Sequence, residues 1–141
     1  LRARMERNGD IVRLTYEPRP SDLGYSDIVH GGLGATLLDE VMTWSANLAA
    51  GTACVAAEFT VRLLKPMRLG QRYVAEGRVA KNRGRIVLTE GAIRDARGED
   101  ALRATGKYMP VPGEAASEMK KDFVESPDVL PVESILKGSR G

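Results

Sequence analysis

Only one cysteine, Cys54, and one histidine, His30, occur in this chain of 141 residues. A lone cysteine excludes an intrachain disulfide. The two together are too few ligands for a His-only or Cys/His zinc site within one chain. Excess charge is missing as well: 21 basic residues stand against 19 acidic ones, and the basic residues are spread rather than blocked. That balance gives no electrostatic footprint for nucleic acid. No signal-peptide pattern, internal repeat, low-complexity run or uncharged membrane-length stretch is found. The expectation is a reducing, cytoplasmic setting, with no membrane span and no nucleic-acid partner.

Hydrophobic content of 43% and charged content of 28% are ordinary for a globular protein, so one domain with a single substantial core is expected. The chain is organised around one apolar stretch. From Leu33 to Ala50 the only charges are Asp39 and Glu40. Adjacent carboxylates near the middle argue against a membrane helix. A helix buried inside a protein is the better reading, from Gly31 or Gly32 to the C-terminal glycine Gly51. Leu33, Leu37, Val41, Trp44 and Leu48 form one stripe at helical spacing. Ala35, Asp39, Met42 and Ala46 form another, which puts Asp39 among small or apolar neighbours. Glu40 lies about 100° further round.

Around this helix the sequence reads as strands. Asp10 to Glu17 alternates apolar and polar residues and predicts a strand, and Pro18 to Asp22 breaks it. Four strands follow the helix: Cys54 to Lys65, Gln71 to Lys81, Arg85 to Asp95 and Asp100 to Val111. Asn82-Arg83-Gly84 is a hairpin turn between two of them. Residues 113–141 change character, with a short helix predicted from Glu114 to Phe123 and a loose tail beyond. A 1–112 domain with a 113–141 extension is therefore expected. Segregated helix and strands make an α+β fold of about five antiparallel strands. Its open edges favour pairing with a second copy.

Val29-His30-Gly31-Gly32, followed by Leu37-Leu38-Asp39-Glu40, resembles the hotdog-fold acyl-CoA thioesterases, and most closely their phenylacetate-pathway branch. Arg62-Leu63-Leu64-Lys65-Pro66 is similar to that family's strand ending in Lys/Arg-Pro, and Gly70 fits its next turn. The resemblance covers roughly residues 10–112. It implies a long helix wrapped by a curved antiparallel sheet, a homodimer with a continuous sheet, and a homotetramer as the further assembly. It also implies active sites at the dimer interface, hydrolysis of acyl-CoA, and Asp39 as the catalytic carboxylate, nine residues after the histidine.

The residues fit that chemistry. A thioester carbonyl under attack develops negative charge, and donors aimed at the oxygen lower the barrier. The start of a buried helix supplies free backbone N–H groups, and glycine allows close approach. The N–H of one of Gly31 and Gly32 is therefore the expected oxyanion donor, the competing role of the two glycines being a plain turn into the helix. Asp39 serves either as general base toward water or as nucleophile, forming an anhydride. Its competing role is an ion pair with Arg62 or Arg78. His30 braces the loop or acts directly, and Glu40 reads as a solvated or interface acid. Arg83 and Arg85 on the hairpin offer forks for coenzyme A phosphates, against a plain solvated turn. Trp44 and Met42 either line an acyl tunnel or belong to the core. Cys54 reads as a small buried residue. No metal and no cofactor separate from the coenzyme A substrate are expected.

The sequence departs from the family at two positions. Ala56 stands where many relatives carry a Ser or Thr ten residues before the strand-ending proline. Thr43, one turn after Asp39, resembles a threonine used by a different thioesterase branch and is the expected substitute hydroxyl, with Thr60 the weaker candidate. Gly24 stands where other relatives have Asn or Gln six residues before the histidine. Two other functions stay open: a hydroxyacyl-thioester dehydratase, and a non-catalytic acyl-CoA or lipid-binding protein.

Overall fold

The computed structural model describes residues 4–120. Six strands form one antiparallel sheet: β1 (Met5–Asn8), β2 (Ile11–Tyr16), β5 (Cys54–Leu63), β6 (Tyr73–Asn82), β7 (Val87–Arg94) and β8 (Asp100–Pro110), in the order β1-β2-β6-β7-β8-β5. A separate two-stranded ribbon, β3 (Leu23–Tyr25) with β4 (Ile28–Val29), precedes helix α1 (Gly31–Ala50). A 3-10 turn spans Pro20–Asp22, and α2 (Gly113–Lys120) closes the described chain. The α+β architecture is as the sequence implies. The count of about five strands is corrected by β1, which pairs with β2 from Met5↔Leu14 to Asn8↔Ile11. Its Met-Glu-Arg-Asn sequence lies at the exposed edge with no residue fully buried, so it leaves no alternating signature. The helix expected from Glu114 begins at Gly113, and its part beyond Lys120 lies outside the described residues.

The helix forms where the apolar pattern demands it. Leu37, Leu38, Val41, Met42 and Ala46 are all buried, a wide stripe facing the sheet. Each fully buried Leu or Met side chain contributes about 1.5–3 kcal/mol relative to exposure. Gly51 ends the helix in the left-handed region at φ 70°, its N–H donating to the Asn47 carbonyl at 2.9 Å. The Asn47 side chain then accepts from the Cys54 N–H at 2.7 Å, which ties the helix end to the first residue of β5.

Helix and sheet meet closely because the sheet is floored with glycine. Gly77 and Gly91 face each other across β6 and β7. A Cβ on Gly77 would lie 2.6 Å from the Val41 carbonyl oxygen, so here the helix backbone rests on the strand backbone. On the other side of the sheet, charged side chains pair across the strands. Strand β5 is an edge: Val55 and Leu63 are exposed, as are Leu64 and Met109 nearby. The Lys65-Pro66 step fastens its end, since Lys65 Nζ bonds to Asp95 at 2.5 Å and Glu99 at 2.6 Å in the β7–β8 turn.

Candidate functional site

Asp39 sits on the stripe of α1 that turns toward β8, and its carboxylate is half-buried. Tyr108, fully buried in β8, donates its hydroxyl to Asp39 Oδ1 at 2.7 Å. Thr43, one helical turn on, donates to the same oxygen at 3.3 Å. Among the described residues Oδ2 has no hydrogen-bond partner. Burial, and then the bond to Asp39, push the Tyr108 phenol well above its ordinary value, so it remains a proton donor at any working pH. The tyrosine fits because the strand carries glycine beneath its ring: a Cβ on Gly106 would lie 2.7 Å from Tyr108 Cε2.

The alternative partners of Asp39 lie elsewhere. Arg62 and Arg78 are on the sheet face opposite the helix, where Arg78 pairs with Glu90. Glu40 points outward, yet partial desolvation and the neighbouring Asp39 charge raise its carboxyl above the ordinary value. Cys54 is buried, and burial pushes its thiol up to about 11, which keeps it protonated and unreactive.

At the helix start, Gly31 and Gly32 are the first two helical residues. The Leu33 N–H already bonds to the His30 carbonyl at 3.0 Å, whereas the N–H groups of Gly31 and Gly32 have no acceptor among the described residues. Gly32 is open: nothing lies within 4 Å of where its Cβ would stand. His30 is the N-cap, but its side chain makes no capping bond. Its ring packs on Gly24 so tightly that a Cβ there would lie 2.6 Å from Nδ1. The glycine at that position is thus the space the imidazole occupies. The His30 N–H donates to the Asp22 carbonyl at 3.0 Å, and the Asp22 carboxylate accepts from Tyr16 at 2.7 Å. A buried pair therefore pins the chain that enters the helix.

The remaining expected site residues disperse. Met42 is fully buried against Gly91 and Gly106, and Trp44 is half-buried against the core. Arg83 and Arg85 are exposed on the β6–β7 turn, away from the helix start. Ala56 is opposite Tyr108 in the β5–β8 register. The position without a hydroxyl thus borders a residue that supplies one. Tyr108 is the residue sequence reasoning missed. It lies 69 positions from Asp39, beyond any local spacing, and its only signal is a tyrosine on the inward side of an alternating strand. Among the described residues no three His, Cys, Asp or Glu side chains gather in a metal-binding cluster, and no helix is long and apolar enough to cross a membrane.

A sequence profile of the thioesterase superfamily matches residues 27–102, a span holding the helix and most of the sheet. Solved structures share the fold. The smu.793 protein of Streptococcus mutans UA159, bound to acetyl CoA, is 20% identical with a TM-score of 0.72, over 79% of this chain and 90% of that one. A hypothetical thioesterase protein with coenzyme A from Streptococcus pneumoniae TIGR4 is 21% identical with a TM-score of 0.71, over 78% and 86%. The E. coli PaaI protein of the phenylacetic acid degradation operon is 19% identical with a TM-score of 0.72, over 77% and 79%. Comparison with curated proteins returned no match.

Proposed function

This chain belongs to the thioesterase superfamily, and from that premise we propose that it hydrolyses an acyl-CoA thioester to a carboxylic acid and free coenzyme A. The observation that carries the reading is the Asp39 carboxylate, held at one oxygen by Tyr108 and Thr43 and free at the other. In the general-base route, Oδ2 takes a proton from water as the water oxygen bonds to the carbonyl carbon. In the nucleophilic route, Oδ2 bonds to that carbon and water then opens the anhydride. Both need an unblocked oxygen. The carbonyl oxygen gathers charge and is met by a helix-start N–H of Gly31 or Gly32. The C–S bond breaks, and coenzyme A leaves as a thiolate that takes up a proton.

Eight residues separate Gly31 from Asp39, which at 1.5 Å rise per residue is about 12 Å along the helix. One carbonyl cannot touch both ends of that span. The site is therefore built from the helix start of one copy and Asp39 of a second, which makes a homodimer part of the mechanism. The open, apolar β5 edge supports it, because a long exposed edge strand is a template for pairing.

A free-thiol assay over acyl-CoAs of different length and aromaticity tests the reading, with Asp39→Asn as control. Thiol release by the wild type and its loss in a folded Asp39→Asn variant are expected. Undiminished release by that variant would remove Asp39 from the mechanism. Binding of acyl-CoA with no release would leave a binding protein instead, and hydration of an unsaturated thioester without release would make it a dehydratase.

A further inference from the structure

On the sheet face opposite α1, charges are matched across the strands with one exception. Arg13 faces Glu76, Arg78 faces Glu90, Glu58 faces Lys107 and Arg94 faces Asp100. Arg62 on β5, however, faces Arg103 on β8. Directly opposite side chains stand about 4.5–5.5 Å apart at Cβ, and like charges there are destabilising. The available carboxylates do not relieve the pair. Arg103 reaches only Asp100, at 3.4 Å, and Asp100 is already held by Arg94 at 3.0 Å. Arg62 has no carboxylate partner among the described residues.

The pair borders a cavity of about 310 Å³. Ala92, 7% exposed, lies beside Arg103 at its base, and this small residue leaves the guanidinium groups room above it. Thr60 and Thr105, directly opposite each other in the next register position, line the same cavity, and neither hydroxyl has a partner among the described residues. Glu76 and Glu90 also line the cavity, but Glu76 is taken by Arg13 and Arg94 and Glu90 by Arg78, so two forks and two hydroxyls converge on one space with no carboxylate left to match them.

The geometry points to a binding site here for a phosphate-bearing small molecule, separate from the Asp39 site by the thickness of the sheet. A phosphate group has enough oxygens to accept from both guanidinium forks and both hydroxyls at once, whereas a single carboxylate satisfies one fork. A second copy adding at β5 uses the N–H and C=O groups of that edge, so it leaves this face open.

Thermal unfolding and calorimetric titration at low salt, with inorganic phosphate, pyrophosphate and ADP as separate probes, test the site. Pyrophosphate is expected to bind and to raise the wild-type Tm. Phosphate alone as the weakest probe and ADP at the level of pyrophosphate would mark a diphosphate-bearing ligand; equal response to all three would mark a free phosphate site. Arg62→Gln is expected to raise the Tm without ligand, by removing the like-charge contact, and to weaken pyrophosphate binding roughly 10-fold or more. Absence of wild-type binding, undiminished binding by Arg62→Gln, or a lower ligand-free Tm in that variant would each overturn the proposal. Hydrolytic activity plays no part in this readout, so the outcome stands apart from that of the thiol assay.

Discussion

Tyr108 and Asp39, 69 residues apart in sequence, are joined by a 2.7 Å hydrogen bond that runs from the sheet to the central helix. Both it and the longer Thr43 bond end on the same carboxylate oxygen. The carboxylate is therefore oriented as well as satisfied, with its other oxygen left without a hydrogen-bond partner among the described residues. Tyr108→Phe keeps the ring on Gly106 and deletes the donor. Thiol release should fall roughly tenfold, equivalent to about 1.4 kcal/mol and to one net hydrogen bond. Thr43→Val should cost less, because its bond is longer at 3.3 Å. Initial rates of both folded variants against wild type check the order; a larger loss in Thr43→Val would reverse the assignment.

Mixing an acid-site variant with a helix-start variant, each first shown to be inactive alone, tests whether the site spans two copies. Asp39→Ala lacks the acid. Gly31→Pro lacks one oxyanion N–H at the first helical position, where proline is tolerated. If the halves come from different copies, a mixed dimer carries one intact site and one doubly damaged site. Random reassociation of equal amounts should then restore about a quarter of wild-type thiol release, given closed two-fold dimers. A site contained in one chain would restore nothing.

Gly77 supports the helix at backbone distance, so Gly77→Ala should destabilise. Glycine in a strand ordinarily costs about 0.5–1 kcal/mol relative to alanine, so alanine would gain that much at a neutral position. Here the new methyl would meet the Val41 carbonyl at 2.6 Å, and the clash should outweigh the gain by about 1–3 kcal/mol. Gly91→Ala meets the flexible Met42 side chain first, with Sδ at 2.9 Å, and should cost less. Urea unfolding of the two variants separates main-chain from side-chain contact.

Asp22 should make stability sensitive to acid. The Arg19 backbone N–H, assisted by the Tyr16 hydroxyl and the Arg19 charge, holds its carboxyl below the ordinary 3.8 against the opposing effect of burial. A lowered native value means that the contribution is complete above 3.8 and is lost as pH falls through the native value. Asp22→Asn should therefore be less stable than wild type at neutral pH, and the gap should narrow at a pH below 3.8. Denaturant titrations at the two pH values measure it; a gap that widens in acid would contradict the sign.

Local pattern made most of the fold legible. The apolar stripe and Gly51 mark α1, which runs from Gly31 to Ala50, and β5 through β8 begin and end within about two residues of their alternating runs. Strand β1 was not legible, because an edge strand with polar residues on both sides carries no period. The small β3–β4 ribbon was hidden for a related reason: Ile28–Val29 is too short to show alternation. At the site, Asp39, Thr43 and the helix-start glycines share one helix, so spacing alone relates them. Tyr108 comes from the far end of the sheet, and only register brings it there. The Arg62–Arg103 clash is similarly a property of pairing, visible only once β5 and β8 are laid side by side.

The contact of Gly77 with the Val41 carbonyl has a consequence for how this protein can vary. Asp39 is two residues from Val41, so its height above the sheet is gauged by main chain against main chain. Interior side chains can swell or shrink over generations, and stability will drift with them, while the carboxylate keeps its level. The glycine acts as a ruler for the acid: a residue with no chemistry of its own sets where the chemistry stands.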